Sequence, residues 1–453
     1  QGGIGLSIKS FSVLAAIVLL TVPASAASSG STLKIICADA GQVIFTPPGS
    51  TQYAYRYGPA ILIDGDRIDI WASAPPLVSN GVRYGNDSIE YIRSTDGGKT
   101  WTEWKTVLYP TLNSEDQWST CDPGAFKYGD YYYVGYTGSP EFRTNPDKEK
   151  QVNNLFIARA KNPEGPYEKW NGNGWGGDPY AITRYSGDGV GCSMPSFTVK
   201  GDTLYMYYVD QTHPDQDWNS EGNISVSTFS LKDPNWPGNE LSNKMCENKP
   251  EEVRYCPDID KFIGFQLKGG WDYDSYVEIY ESTDGVNFTK TSSFRNNFPH
   301  YAHNIGISGN NLGQLDLSIQ NYIGTAYTPT GVEAWWGHWH TQLIPLYIRE
   351  EQPSSTTPSQ PSGSTDSSSQ KPTTSSVGST DGKSSETEVS EPQNSNIEST
   401  VSDNKDKDKE VNNKTEQQEE TSYLWLYIVI GAVVVLAGAG TAVYFLVIKK
   451  KHV

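Results

Sequence analysis

One pattern recurs five times along residues 57–310: a short apolar strand, a Gly/Asp turn, and usually a second strand rich in Tyr or Trp. A unit of this kind cannot bury its apolar face alone, so consecutive copies must pack against one another. Third and fourth strands follow the first copies, which makes each unit a small sheet. Residues 31–350 are therefore predicted to form an all-β domain, a five-bladed β-propeller, whose copies begin near Pro59, Gly124, Pro195, Ile259 and Ile305.

Alternating or β-rich segments place the third strands of four units at 88–93, 155–160, 224–229 and 276–281. Two strands remain without a unit, at 32–37 and at 342–348. Either can complete the blade that contains the other terminus, which closes the ring without an open edge. A twisted β-sandwich is the alternative fold.

The first residues resemble a secretory signal. Lys9 precedes an apolar run at 11–22, and small residues end at Ala26. We predict a signal peptide at 1–26 that is cleaved after Ala26. An uncleaved anchor is the alternative, but the apolar run is shorter than the roughly 20 residues that a bilayer crossing needs.

The C-terminal region has two parts. Residues 351–422 are rich in Ser, Thr, Pro and charged residues and carry little to bury, which predicts a disordered stalk. Residues 423–448 are apolar and uncharged and precede three lysines, which predicts one transmembrane helix and a cytoplasmic tail at 449–453. The expected location is the cell surface, with the N-terminal head outside.

The amino-acid composition indicates which classes of partner the protein can bind. A net charge of −18 argues against nucleic acid, while 28 Tyr, 13 Trp and 43 Gly fit short strands joined by turns. Acidic, aromatic, exported domains are common among carbohydrate-active proteins. We expect a monomer whose partner is an extracellular oligo- or polysaccharide, attached to the membrane through its C-terminal span.

Five cysteines are present. Outside the cell some should be oxidised, and Cys246 and Cys256, which bracket a short loop, are the favoured disulfide. The chain has no C-x-x-C and no Cys-His cluster, so a zinc site is not indicated.

Two turns between third and fourth strands share a motif. Residues 94–101 read STDGGKTW and residues 282–288 read STDGVNF. The first matches, and the second shortens, the Asp-box of the sialidase superfamily. In such turns the Asp accepts hydrogen bonds, Gly supplies a positive φ and the aromatic ring packs beneath, so Asp96 and Asp284 are predicted to be structural.

A second resemblance concerns residues 122–126 (DPGAF), 131–136 and 160–167, which are similar to glycoside hydrolase family 43 and its five-bladed relatives. These enzymes cleave xylosides and arabinosides. The resemblance implies an axial pocket with two Asp and one Glu at the starts of the inner strands. Inverting hydrolysis needs a carboxylic acid and a carboxylate base about 6.5–9.5 Å apart.

Superposing the units on Ile61, Phe126 and Phe197 makes the inner positions Tyr57, Asp122 and Ser193, of which only Asp122 is acidic. The Glu that the family would have before Pro195 is replaced by Ser193-Met194. The catalytic candidates are Asp122 and, as substitutes for the missing acids, Asp258, Asp210 and, with less support, Glu141.

A sialidase-like exo-glycosidase is a further interpretation, because residues 55–59 (YRYGP) resemble the F-R-I-P segment whose Arg binds a substrate carboxylate. Arg56 would take that role. Sialidases have six blades, however, and their three arginines have only loose candidates here, Arg143, Arg184 and Arg254.

Substrate-binding candidates come from loop aromatics, which can stack on sugar rings, and from the histidines of the fifth unit. Trp175 and Trp218 are further loop aromatics, and His300 and His340 lie near His303 and His338. We expect no cofactor; a structural cation on the propeller axis, held by water and one His, is the alternative. The candidates are Arg56, Tyr57, Trp118, Ser193, His213, Trp271, His303, Trp336 and His338.

The expected function is hydrolysis of O-glycosidic bonds by paired carboxylates on extracellular glycans. A carbohydrate-binding protein on the same propeller, without catalysis, is the second hypothesis, and a protein-binding adhesin is the third.

Overall fold

The computed structural model describes residues 31–48, 54–140, 142–145, 148–185, 190–212, 222–329 and 338–351. The predicted signal peptide, almost the whole stalk and the predicted transmembrane segment lie outside these residues. So do the side chains of His213, Trp218, Trp336, Glu141 and Arg143. Within the described part of the chain, no helix is long and apolar enough to span a membrane.

The described residues form 25 strands, numbered β1 to β25 in chain order, and no α-helix. Most belong to five antiparallel units of four strands. The first unit is β3 (Tyr57–Asp64), β4 (Arg67–Ala74), β7 (Ser88–Ser94) and β8 (Lys105–Leu108). The second is β9 (Ser119–Tyr128), β10 (Tyr131–Ser139), β13 (Asn154–Ala160) and β14 (Glu168–Lys169).

The third unit is β15 (Gly191–Lys200), β16 (Thr203–Gln211), β17 (Asn223–Ser230) and β18 (Glu240–Met245). The fourth is β19 (Glu252–Cys256), β20 (Lys261–Lys268), β21 (Tyr276–Ser282) and β22 (Thr289–Phe294). The fifth is β23 (Ala302–Gly309), β24 (Asn321–Tyr327), β25 (His340–Glu351) and β1 (Thr32–Cys37), with β2 (Gln42–Phe45) also paired to β25. Two hairpins project from the units, β5 (Leu77–Ser79) with β6 (Val82–Tyr84) and β11 (Phe142–Asn145) with β12 (Lys148–Gln151).

The first strand of each unit contacts the first strand of the next, in the order β3, β9, β15, β19, β23 and back to β3. The last contact is a short parallel pairing of β23 with β3. Five four-stranded sheets around a closed ring of inner strands make an all-β, five-bladed β-propeller, as the repeat predicts. A β-sandwich is excluded, because no pair of stacked sheets could give this circular order.

Strand β1 closes the ring. It pairs antiparallel with β25 in a register that runs from Thr32↔Glu351 to Cys37↔Leu346. The predicted completion of one blade by strands from both ends of the head is confirmed. The fifth blade therefore contains the beginning and the end of the described chain, and the ring has no unpaired seam.

The core lies between blades, because each sheet buries both faces against its neighbours. Trp71 and Phe156, from the first and second units, belong to one buried cluster, and Phe126 packs 5.3 Å from Phe197 across the next interface. Near the axis the inner strands approach so closely that a side chain would not fit. A Cβ on Gly124 would lie 2.0 Å from the carbonyl oxygen of Pro195.

Two sequence predictions need correction. The inner strand of the fourth unit is Glu252–Cys256, whereas Ile259 lies in the turn that follows it. The strand was missed because charged Glu252 and Arg254, which form an ion pair in the core, interrupt the apolar pattern.

The predicted disulfide between Cys246 and Cys256 is not formed: all five cysteines are described, free and buried. Cys246 follows the outer strand of the third unit and packs in a different cluster from Cys256.

Candidate active site

Four of the five inner strands begin with the same irregularity. The residues Gly58, Asp122, Met194 and Asn304 all have positive φ, of 56°, 48°, 57° and 54°. At each one the pairing register of the inner strand with its neighbour shifts. Such bulges turn a side chain toward the axis at one end of the ring.

The bulges are held by the preceding blade. The backbone N–H of Asp122 donates to the Ser73 hydroxyl at 2.7 Å, and that of Met194 donates to the Thr137 hydroxyl at 2.9 Å. A left-handed backbone is easy for Gly, tolerable for Asp and Asn, and unfavourable for Met. Strain that persists at three non-glycine positions around one axis is typical of a functional site.

The bulges also correct the superposition of the units. Ala60, Gly124 and Ser196 each lie two residues after a bulge and pair with equivalent positions of the second strands. The counterparts of Asp122 are therefore Gly58 and Met194, and not Tyr57 and Ser193. Of the three carboxylates that the family resemblance implies, only Asp122 is present.

Asp122 lies in a sheltered polar environment. Its Oδ1 accepts a hydrogen bond from the Asn304 side chain at 3.2 Å, and its Oδ2 lies 3.4 Å from the Cys121 sulfur, which donates to it. Burial raises the pKa of Asp122 to about 6, with a smaller contribution from the negative charge of Asp87. A carboxyl with this pKa is partly protonated near neutral pH, so it can donate as well as accept a proton.

A cavity of about 330 Å³ opens beside the axis at the same end of the ring. A smaller recess, lined by Asp122 and Glu252, shares Met194 and Asn304 with this cavity. The cavity lies between the third, fourth and fifth blades, and its polar and aromatic lining includes Ser193, Gln211, Lys249, Glu251, Gln266, Trp271 and His303.

Two glutamates of the fourth blade were missed by the sequence analysis. Glu251 lines the cavity, and its Oε1 accepts the backbone N–H of Leu267 at 2.5 Å. Glu252 lines the smaller recess and pairs with Arg254 at 2.8 Å, and burial raises its pKa. Glu251 immediately precedes the inner strand β19 and Glu252 begins it, so a correct register for the fourth unit would have revealed both.

Trp271 forms the aromatic side of the cavity. The residue is 37% exposed, and its ring packs 4.3 Å from that of His303 and 5.2 Å from that of Trp339, measured between centroids. Burial lowers the pKa of His303 to about 3, so this imidazole is neutral at physiological pH. A supported, partly exposed indole at a cavity wall suits stacking against a sugar ring.

Among the other binding candidates that the structure describes, only Ser193 also lines the cavity. Tyr57 is buried beneath it, packed 5.4 Å from both His303 and Trp339. Trp118 is half-buried in the loop before β9, and His338 forms a bridge with Ala54 in the fifth blade. Neither is among the residues that line the cavity.

Two of the substitute acids predicted from sequence, Asp258 and Asp210, do not join Asp122, and the third, Glu141, lies outside the described residues. Asp258 is exposed in the turn after β19, at the opposite end of that strand from the cavity, where it accepts the N–H of Leu317. Asp210 lies near the cavity but accepts the Ser225 hydroxyl at 3.0 Å and is not part of the lining.

Three arginines of the sialidase interpretation have described side chains, Arg56, Arg184 and Arg254, and each is held in an ion pair. Arg56 pairs with Glu90 at 2.5 Å beneath the aromatic rings of Phe45 and Trp104. Arg184 pairs with Glu115 at 2.7 Å. The described residues therefore bring no three arginines together at the cavity.

In the turns at 94–101 and 282–288, the Asp carboxylates accept hydrogen bonds from residues of the same turn. Asp96 accepts hydrogen bonds from the Thr100 hydroxyl at 2.6 Å and from the Thr100 N–H at 2.9 Å, which lower its pKa to about 2. Asp284 accepts the N–H groups of Val286 and Asn287 in the same way. Both side chains stabilise turns rather than face the cavity.

No group of three or more His, Cys, Asp or Glu side chains within the described ranges could hold a metal ion. The fifth-blade histidines diverge: His300 stacks on Tyr273 and His340 packs near Tyr327, while His303 lies at the cavity. An axial cation held by water and one His remains a prediction.

The chain matches no protein-family model and no curated protein. In structure it is similar to glycoside hydrolases. An α-L-arabinofuranosidase of Podospora anserina, solved with cellotriose, is 10% identical with a TM-score of 0.44, over 70% of this chain and 98% of that one. A family 117 glycoside hydrolase of Zobellia galactanivorans is 14% identical with a TM-score of 0.45, over 71% and 92%.

A family 43 enzyme of Xanthomonas citri, solved with xylose, is 12% identical with a TM-score of 0.44, over 67% of this chain and 90% of that one. These likenesses agree with the predicted resemblance. At such identities and TM-scores they decide neither substrate nor chemistry, and the fold rests on the strand pairing described above.

Proposed function

We propose that this protein is a glycoside hydrolase that cleaves extracellular glycans at the axial cavity. The observation that supports the proposal most directly is the position of Asp122. It is a sheltered carboxyl with a pKa of about 6, at the start of an inner strand and beside a cavity lined by Glu251 and Trp271. Perturbed carboxyls in clefts are enriched at catalytic sites.

In this proposal, protonated Asp122 donates its proton to the leaving oxygen of the glycosidic bond. Glu251, whose carboxylate is hydrogen-bonded to a backbone N–H, takes a proton from the attacking water. Trp271 supports the face of the sugar ring. The sequence resemblance favours xylosides and arabinosides as the substrate class.

Release of the aryl group from aryl xylosides and arabinofuranosides by the full chain tests the proposal. Asp122→Asn and Glu251→Gln should each lower kcat by about 100-fold or more, the usual contribution of a general acid or base. Asp130→Asn and Glu247→Gln are matched controls, because both residues are exposed and lie outside the cavity lining. Equal rates in wild type and Asp122→Asn would remove Asp122 from catalysis.

A specific observation favours a second candidate, saccharide binding without hydrolysis. Gly58 and Met194 occupy the places where family 43 would have acids, and neither side chain can transfer a proton. Titration of the full chain with xylo- and arabino-oligosaccharides separates the candidates. Saturable binding that Trp271→Ala weakens, with no bond cleavage between pH 5 and 7, would establish a lectin and refute the hydrolase.

We further propose that the chain works at the cell surface as a monomer with its head outside. The signal-like residues 1–26, the stalk-like 351–422 and the apolar 423–448 support this location. Protease treatment of intact cells should release the head. A head that stays protected until the cells are lysed would contradict the proposal.

A further inference from the structure

Asp87 is a buried carboxyl for which the proposed chemistry has no direct use. It is 3% exposed, lies in the loop before β7 and is not among the residues that line the cavity. Its oxygens accept hydrogen bonds from the Tyr55 hydroxyl at 2.6 Å, the Ser119 hydroxyl at 2.8 Å and the Asn86 amide at 3.1 Å. Burial raises the pKa of Asp87, and the hydrogen bonds from these three donors, which favour the ionised form, oppose that rise.

The contacts continue from Asp87 to Asp122. The Ser119 hydroxyl, whose proton goes to Asp87, lies 3.4 Å from the sulfur of Cys121. Cys121 in turn lies 3.4 Å from Oδ2 of Asp122 and donates its S–H proton to it. Burial raises the pKa of the Cys121 thiol well above its ordinary value, so the thiol stays protonated and remains a donor.

We propose that Asp87, Ser119 and Cys121 form a buried chain that positions the Asp122 carboxyl and sets how readily it holds a proton. Asp87 and Cys121 act in opposite directions. The negative charge of Asp87 disfavours a second negative charge on Asp122, and therefore favours protonated Asp122. The hydrogen bond from Cys121 is made to the carboxylate, and therefore favours ionised Asp122.

The variants tested below leave the other titratable groups around Asp122 in place. Tyr57 from β3 donates to the Cys121 sulfur, and Glu252 of β19 lines the recess with its charge paired to Arg254. Neighbouring His303 of β23 is neutral, and the remaining contacts from β10 and β23 are the uncharged Thr137 and Asn304.

Infrared pH-difference spectra of the full, ligand-free chain can follow the C=O stretch of protonated Asp122, identified by its absence in Asp122→Asn. The wild-type midpoint should lie near 6. Asp87→Asn should lower the midpoint by about half a pH unit or more, since it removes a nearby like charge. Cys121→Ala should raise it, while Cys121→Ser, which keeps a donor, should restore it. Cys192→Ala is the control, because Cys192 is also buried, belongs to the third blade and is not among the groups that shift the pKa of Asp122.

Midpoint shifts of opposite sign in Asp87→Asn and Cys121→Ala would support the chain. A general loss of packing around Asp122 would instead shift the midpoint of both variants in the same direction. Unchanged midpoints, or shifts of the same sign, would overturn it. If Asp87→Asn does not fold, the midpoints of Cys121→Ala and Cys121→Ser still test the proposal: a raised midpoint in the first and a restored one in the second support it, and equal midpoints overturn it. The importance of the chain for turnover rests on the proposed hydrolase, but the infrared midpoint does not, so the two proposals can fail separately.

Discussion

Asp122→Asn should make the folded protein more stable at neutral pH while it removes the activity. Burial raises the pKa of Asp122 from 3.8 to about 6. At about 1.4 kcal/mol for each pH unit, the ionised carboxylate destabilises the folded state by about 3 kcal/mol at pH 7. An amide carries no charge and keeps the hydrogen bond from Asn304 but loses the one from Cys121, so about 3 kcal/mol is the upper limit of the gain.

The pH dependence of the stability difference between wild type and Asp122→Asn tests this explanation. Well below pH 3.8 the carboxyl is protonated in both the folded and the unfolded state, and well above pH 6 it is ionised in both. Between these values the folded state binds more protons than the unfolded state, so wild-type stability falls as pH rises. Asparagine does not titrate, and the advantage of Asp122→Asn should therefore grow from pH 4 to pH 6 and then level off.

Urea unfolding of the full chain, followed by tryptophan fluorescence at several pH values between 4 and 8, measures this difference. Asp130→Asn, at an exposed turn of the same blade, is the control and should show no such trend. A stability difference between wild type and Asp122→Asn that does not vary with pH would refute the argument, since it would mean that Asp122 titrates alike in both states.

Other perturbations follow from the same structure. Trp271→Ala should weaken oligosaccharide binding about 10-fold in calorimetry, the usual contribution of one stacked ring, and unchanged affinity would exclude stacking. Lys169 and Asp116 form a buried pair at 2.5 Å; Asp116→Ala should lower the free energy of unfolding by about 3–5 kcal/mol, and adding Lys169→Met should recover part of the loss. Equal losses in the single and double variants would show that an unpaired lysine is not the cause. Asp96→Asn should destabilise the first blade above pH 4 and matter progressively less as pH falls toward 2, because the wild-type carboxylate becomes protonated there; a constant loss would contradict this. A reducing agent should leave the thermal midpoint unchanged because the five cysteines are free, whereas a decrease would reveal a disulfide.

Much of the fold could be predicted because blade strands carry a strong alternating signal. The third strands at Ser88–Ser94 and Tyr276–Ser282 begin at the residues predicted for them. The fourth inner strand was misplaced because Glu252 and Arg254 are buried only as an ion pair, and a pattern of apolar residues does not register such pairs. Pairing with residues distant in sequence can place a charged segment in a core strand, and the local sequence pattern cannot predict such pairing.

The site was less predictable for a related reason. Asp122 was found from its motif, but Glu251 lies before the misplaced strand and was missed. The superposition was one residue wrong in the second unit, because it aligned Phe126 with Ile61 and Phe197, whereas the strand pairing makes Ala125 their counterpart. Arg56 looked like a ligand-binding group, whereas its partner Glu90 lies on a strand that only the tertiary structure brings near.

The pairing of β1 with β25 has a consequence for how the protein is made. Thr32 pairs with Glu351, so the fifth blade is complete only when the first strand of the head, β1, can pair with the last, β25. Bringing such distant segments together carries a loop-closure entropy that local hairpins avoid. During synthesis the first four blades can assemble in order, but β1 has no partner until β25 emerges. A chain that stops before residue 340 would present the unpaired edges of β1 and β24 to other chains, so truncation should lead to aggregation rather than to a smaller propeller.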